Sequence, residues 1–351
     1  MMSAALRIRV LRALVASMLG IGLHAGVAAA DAELPGEVLV RLRSAAALGP
    51  LLLKHQFSLV GQFGARPIYR LKGIGLADVH PKIEAMALDP EVLSVEANVV
   101  HRSPEARGNN AWAIGTPSAY TAQWAPRSLR LPEAHRLSVG AGMRVAVLDT
   151  GIDRKHPALA GRLLTGFDFV DFDADPSEVG SPANPGFGHG THVAGLVAMV
   201  APGAQIMPLR VLDAEGSGNA WVLAEAMLYA VDPDANPATP DGVHVINMSL
   251  GSTSRTELLD SIAKLAACAI PAVVVEPADD FTDPGYNADK ARCGSSVGAV
   301  IVAAAGNDGS AAIRQYPAAE GSYGLLAVGA SNANGRLAAF SNFGSWVDVA
   351  A

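Results

Sequence analysis

From residue 128 onward the chain repeats one pattern: a short, almost wholly apolar run, a polar turn, then a helical stretch. The apolar runs lie at 143–148, 206–211, 243–248, 299–304, 325–328 and 346–349. Stretches of helical character lie at 192–200, 220–231 and 257–267. The runs do not alternate apolar with polar residues, so each reads as a strand buried on both faces. Buried strands separated by helices pair in parallel, because a parallel crossover needs about a helix's length of chain. The expectation is an α/β fold, a mostly parallel sheet with helices on both faces. Half of the 351 residues are hydrophobic but only 5% are aromatic. That suits layers lined by Ala, Val and Leu, and it excludes a disordered or low-complexity chain.

A smaller pattern precedes this one. Residues 31–103 read as an α/β unit of their own, with strands at 37–42, 67–71 and 92–100. Helices are expected at 45–55 and 76–88, the second stopped at Asp89-Pro90. Residues 104–127 carry Gly, Pro, Asn and Ser with no steady period, and read as a linker or surface strap before the larger unit of 128–351. The segment 271–296 carries Asp279, Asp280 and Asp283 and reads as an exposed loop with a solvated acidic surface.

Residues 1–30 read as a secretory signal peptide. Arg7, Arg9 and Arg12 precede an apolar stretch from Ala13 to about Val27, and Ala28, Ala29 and Ala30 supply small residues for cleavage. The stretch is interrupted by His24 and is shorter than the ~20 residues a bilayer core requires, which weighs against a membrane anchor. The expected destination is secreted or periplasmic. There Cys268 and Cys293 can form the single disulfide that two cysteines allow; two free buried thiols are the alternative. The net charge is −7 with no basic run, so nucleic-acid binding has no electrostatic footprint. The absence of a CxxC pair argues against a zinc finger or a thioredoxin-type site.

Polar motifs stand where the strands end, which is where functional groups gather in an open parallel sheet. RVAVLDTGID (144–153) places Asp149 at the end of the first strand. VHVINMSLG (243–251) ends in Ser249-Leu250-Gly251, AVIVAAAGNDG (299–309) carries Asn307, and GHGTHVAG (188–195) opens a helix with His189. Singly, each has a plain structural use: Asp149 as a turn cap, His189 as a hydrogen-bonded core residue, Asn307-Asp308-Gly309 as a turn. His189 and His192 are three apart, but no third residue has metal-ligand spacing. Together they offer a carboxylate to orient a base, an imidazole to take a proton and an amide to stabilise an oxyanion.

In their order, DTGID, GHGTHVAG and AAAGNDG resemble the subtilisin-like serine peptidases, whose triad runs Asp, His, Ser along the chain. The resemblance covers nearly everything after residue 123. It implies a subtilisin-like fold and endopeptidase chemistry on polypeptide substrates, with Asp149 and His189 in the triad and Asn307 as oxyanion donor. It implies that Gly216, Ser217 and Gly218, and Ser249, Leu250 and Gly251, line an extended substrate. It also implies that residues 31–103 are an inhibitory prodomain, ferredoxin-like in fold, which blocks the catalytic domain of its own chain. Asp168, Asp171, Asp173 and Asp175, with Ser177, resemble a calcium loop of the thermitase-like branch; a solvated acidic loop is the alternative. At His156-Pro157-Ala158-Leu159, alanine stands where relatives commonly place a liganding Asp, so no calcium is expected there.

The family's nucleophile lies in a GTSMAxP motif. No GTS tripeptide occurs in this sequence, and neither Ser341 nor Ser345 sits in a matching motif. The expectation is a catalytic domain incomplete at its C-terminus and inactive as it stands. It is either an incomplete endopeptidase precursor or a non-catalytic remnant that at most binds peptides.

Overall fold

The structure is a computed structural model that describes residues 32–75, 78–108, 117–236, 238–268, 293, 298–322 and 324–351. The signal peptide expected at 1–30 lies outside the described residues, as does the acidic loop at 271–296 apart from Cys293. Residues 31–351 form one compact unit.

The chain begins on β1 (Glu33–Leu42), followed by a 3-10 turn at Ala45–Ala47 and α1 (Leu48–His55). Gln56, at φ 62°, turns the backbone into β2 (Phe57–Gln62). Then come β3 (Ile68–Gly73), α2 (His80–Ala87) and β4 (Val92–Arg102). Both helices are shorter than their sequence patterns suggest. The pattern gave no sign of β2, whose residues 58–60 are exposed and show no buried face. The strands pair antiparallel in the order β2-β3-β1-β4, so this βαββαβ unit has the ferredoxin-like arrangement. Period-two alternation sorts its side chains. Val38, Val40, Leu42, Tyr69 and Leu71 pack under α1 and α2 against Leu51 and Met86. Leu39 and Ile68 point the other way, into the main core.

The larger region supplies β5 (Arg144–Asp149), β6 (Phe167–Asp168), α3 (His189–Val200), β7 (Gln205–Arg210), β8 (Ser217–Asn219) and α4 (Ala220–Val231). It continues with β9 (Val245–Met248), α5 (Glu257–Ala266), β10 (Val300–Ala304), β11 (Leu325–Gly329) and β12 (Val349–Ala350). All but β8 form one parallel sheet in the order β12-β11-β10-β9-β5-β7-β6. Both faces are covered, as unbroken apolar strands require. Val147 of β5 packs with Val193 and Ala194 of α3, whereas Ala146 and Leu148 pack on the face that holds α4 and α5. The last strand begins at Val349 rather than 346, and Trp346 instead packs partly buried against the core. Cys268 and Cys293 are joined by a disulfide, their Cα atoms 5.4 Å apart. Among the described residues no helix is long and apolar enough to cross a membrane.

β8 leaves the parallel sheet and pairs antiparallel with β4, so the small sheet gains a fifth strand from the large region. Two β4 side chains then reach helix N-termini, where backbone N–H groups lack partners within the helix. Asn98 Oδ1 accepts from Trp221 N at 3.4 Å, at the start of α4. Glu96 accepts from Glu257 N at 2.7 Å and Leu258 N at 3.0 Å, at the start of α5. The N-cap residue of α5, Thr256, makes no side-chain cap of its own. Burial pushes the Glu96 carboxyl up to about 7, against those two hydrogen bonds and with the neighbouring charges of Glu257 and Glu320.

Candidate active site

Asp149 is the last residue of β5 and is 1% exposed; His189 is the first residue of α3. The sheet's carboxyl edge and the helix start thus bring together residues 40 apart in sequence, and His189 Nδ1 donates to Asp149 Oδ1 at 2.7 Å. A carboxylate only accepts, so the bond fixes a proton on Nδ1 and orients the ring with Nε2 turned away from Asp149. Thr150 N also donates to Asp149 Oδ1, at 2.8 Å. Gly190 must be glycine for this approach, since a Cβ there would stand 2.1 Å from the Gly151 carbonyl oxygen.

Glu178 braces the pair and was not legible in the sequence. Its carboxylate accepts from Thr150 Oγ1 at 2.6 Å and Thr191 Oγ1 at 2.9 Å, tying the turn after β5 to the first turn of α3. Burial raises its pKa, against those hydrogen bonds. Burial works to lower the His189 pKa, but the charge and hydrogen bond of Asp149 outweigh it, with help from Glu105 and Glu178, and push it up to about 9. The pKa of neighbouring His192 is lowered, first by burial and then by the His189 charge. His192 is therefore no second proton acceptor of comparable strength.

The other expected residues line a groove that the chain's own backbone fills. Val100, His101 and Arg102 pair antiparallel with Asn219, Gly218 and Ser217. On the opposite side Arg102 N donates to the Gly251 carbonyl at 3.0 Å, and Gly251 N returns the bond at 3.1 Å. Ser103 N donates to the Gly216 carbonyl at 2.8 Å. Residues 100–103 are thus an added strand between Gly216–Gly218 and Leu250–Gly251, the geometry of peptide capture by a strand edge. Ser249 lies beside this rim, its Oγ accepting from Asn247 Nδ2 at 3.1 Å. Past Ser103 the backbone turns, with Arg107 N donating to the Ser103 carbonyl at 3.3 Å. Pro104 lines a cleft together with Leu250, Gly251, Gly306 and Asn307. The next residue, Glu105, puts its carboxylate 3.5 Å from His189 Nε2, with both side chains about nine-tenths buried. Residue 104 thus lies in the cleft that Asn307 lines, and residue 105 faces the imidazole of His189. Asn342 shapes the Asn307 loop: its Oδ1 accepts from Asp308 N and Ser310 N, and its Nδ2 donates to the Ala305 carbonyl.

The acidic comb folds around side-chain cations and backbone amides. Arg210 pairs with Asp168 at 2.6 Å and Asp171 at 2.5 Å. Asp168 Oδ1 also accepts from Val170 N and Asp171 N, and Asp173 Oδ1 accepts from Asp175 N. Asp175 pairs with Arg154 and accepts from Ser177 Oγ. A single guanidinium thus already pairs with buried Asp168 and exposed Asp171, and the comb does not present five oxygens converging on one point. Among the described residues, the one acidic group with ligand atoms all within 4.8 Å is Asp232, Asp234 and Asp241.

Residues 140–351 match the Subtilase family. The chain is 32% identical over 287 residues to the thermophilic serine proteinase of Bacillus sp. (strain AK1), across 79% of this chain and 58% of that protein. It is 34% identical over 239 residues to thermitase of Thermoactinomyces vulgaris, across 65% of this chain and 69% of that protein. The crystal structure of fervidolysin from Fervidobacterium pennivorans, a keratinolytic enzyme related to subtilisin, overlaps with a TM-score of 0.63 at 21% identity, across 92% of this chain and 47% of that one. That last likeness speaks for the fold alone. The match spans a little over half the length of the first of these relatives.

Proposed function

Because the chain belongs to the subtilase family, we propose that it is the precursor form of an exported serine endopeptidase, carrying two members of the triad and the oxyanion donor. The observation that carries this reading is the buried 2.7 Å contact between His189 Nδ1 and Asp149 Oδ1, with Nε2 turned toward Glu105, two residues past the added strand. In this mechanism a serine hydroxyl gives its proton to His189 Nε2 as its oxygen bonds to the peptide carbonyl carbon. Asp149 stabilises the imidazolium, and the Asn307 amide donates to the developing oxyanion. His189 then hands the proton to the departing amine. Water repeats the sequence on the acyl-enzyme. No residue of the 351 stands in a motif matching that serine.

Within the same proposal, residues 1–30 direct export and residues 31–103 form the inhibitory prodomain. The strand at 100–103 in the groove and the cap that Glu96 places on α5 support that role. Calcium is a lesser part of the proposal, with the comb of Asp168, Asp171, Asp173, Asp175 and Ser177 as its candidate contacts. The second reading, a non-catalytic peptide binder, draws on the strand pairing alone, which needs no nucleophile.

The test has two arms. The 351-residue chain should neither hydrolyse casein nor become labelled by a serine-directed phosphonate; labelling would refute the absence of a nucleophile here. The gene product extended through a GTSMA-type segment should hydrolyse casein, and His189→Ala should abolish that activity. Full activity in the variant would remove His189 as the base.

A further inference from the structure

The amino ends of the parallel strands carry a surface that the catalytic groups do not use. Residues 124–144 hold four arginines and one glutamate, Glu133, in a chain whose net charge is −7. The arginines are too widely spaced to read as a basic run. Folding sets three of them on or beside two successive helical turns, Ala125–Ser128 and Leu131–Ala134, whose buried foot is Leu131. Arg127, Arg130 and Arg136 are all exposed, and among the described residues none of them pairs with a carboxylate. Apolar side chains stand on the same stretch. Leu137 is 91% exposed, and Trp124 and Leu129 are each more than two-fifths exposed. His135 Nε2 donates to the Val200 carbonyl at 3.0 Å, which joins the stretch to the last turn of α3 and to the half-exposed Val200. His189 opens α3 and Val200 ends it, so about 16 Å of helix separates this face from the His189 imidazole. Met143 and Gln205 likewise mark the amino ends of β5 and β7, whereas Asp149 stands at a carboxyl end.

We propose that this face docks reversibly on a membrane surface rich in anionic phospholipid, leaving the groove at the opposite end of the sheet open. Large apolar side chains and unpaired cations gathered on one face mark an interaction surface, because water suits the arginines and not the leucines. An acidic polymer would neutralise the guanidinium groups and still leave Leu137 wet. A bilayer interface answers both needs. Its phosphates accept paired hydrogen bonds from guanidinium groups, and the boundary between headgroups and acyl chains takes up leucine and tryptophan. The rest of the chain carries an excess of acid, so an anionic surface favours approach with this face first.

Vesicle co-sedimentation tests this on residues 31–351, one compact unit, so that the apolar stretch at 13–27 cannot act as the anchor. Phosphatidylcholine vesicles should leave the protein in the supernatant. Mixed phosphatidylcholine–phosphatidylglycerol vesicles should bring it down at low salt and release it at high salt. Arg127→Gln, Arg130→Gln and Arg136→Gln should each weaken partitioning about fivefold, and the triple variant about a hundredfold. Leu137→Ser should weaken it about tenfold and leave the salt dependence unchanged. Binding should shift tryptophan emission to the blue, and Trp124→Phe should remove that shift. Every substituted side chain is exposed, so each variant should melt with the parent. Failure of the anionic vesicles to sediment the protein overturns the proposal, as does a triple variant that binds like the parent. If soluble polyglutamate binds as tightly as the vesicles and Leu137→Ser binds like the parent, the partner is an acidic polymer, and the lipid proposal is overturned. None of these outcomes touches the roles of Asp149 and His189.

Discussion

The antiparallel sheet of residues 33–102 and the parallel sheet of residues 144–350 share one compact unit but distribute polarity in different ways. In the antiparallel sheet one face is apolar and packs on α1 and α2. Its other face mixes Leu39 and Ile68 with a polar network: Arg70 forks onto Glu37 at 2.8 and 3.1 Å, Asn98 Nδ2 donates to Glu37 at 3.0 Å, and Glu96 caps α5. In the parallel sheet both faces are apolar, and the functional polar groups stand at the carboxyl ends, as Asp149 and Asn307 do. An antiparallel ladder can offer a whole face of side chains to a partner. A parallel sheet buried on both sides has only its ends to offer. The first is thus suited to docking and the second to chemistry at its edge.

The largest expected effect breaks the second half of that contrast. In the serine-bearing protein, Asp149→Asn should lower turnover on the order of 10⁴-fold with little change in fold, as the imidazole loses its fixed tautomer. Steady-state casein or peptide assays check this. Core truncations sharpen the first half. Leu71→Ala and Leu148→Ala should each cost about 2–5 kcal/mol by denaturant melting. Hydrogen exchange should rise only in residues 33–102 for the former and across both sheets for the latter, if the parallel sheet is the platform on which the small one rests.

Next in size is a pH effect at the docking face. The pKa of Glu96 is raised to about 7 when folded, from an ordinary 4.5. Its neutral form is the one that burial favours, so the folded state loses stability as pH rises from about 4.5 to about 7, by on the order of 2–3 kcal/mol. Glu96→Gln should flatten that part of the stability curve; an unchanged slope would remove Glu96 as its source. Glu37 works in the opposite sense. Burial pushes its pKa up, but Arg70, Asn98 and Lys72 outweigh that and hold it below the ordinary value, so its contribution is lost as pH falls through the folded pKa.

A further pH effect is expected at the His189 imidazole. The His189 pKa is raised to about 9, so its contribution to stability is complete below pH 6.5 and lost as pH climbs through about 9. Glu105→Gln removes one of the carboxylates that hold the proton, and nitrogen NMR should then find His189 titrating at lower pH. Smallest is the acidic comb. Calcium should raise the melting temperature by only a few degrees, and Asp171→Ala plus Asp173→Ala should cancel that rise, because Arg210 already pairs with Asp168 and Asp171.

The parts of the fold visible in the sequence were those with strong local patterns. The apolar runs of β5, β7, β9, β10 and β11 marked the parallel sheet, and α4 and α5 lay where their helical stretches indicated. β2, β6 and β8 escaped notice. The exposed residues of β2 carry no buried alternation, and β6 and β8 are two and three residues long, too short for any period. Among site residues, Asp149, His189 and Asn307 stood in recognisable motifs. Glu178 and Asn342 sit in stretches that read as ordinary loop, and their roles come from bonds to backbone and hydroxyl groups distant in sequence.

The order of the amino acids was enough to determine the layered α/β architecture and the kinds of groups at the sheet's edge, because burial period and motif order are properties of neighbouring residues. Tertiary structure alone decided that residues 100–103 lie in the groove and that Glu96 completes a helix more than 160 positions away. Hydrogen bonds and steric contacts depend on separations of a few ångströms in space, and nothing in the local composition around those residues encodes which distant partner the folded backbone will bring within reach.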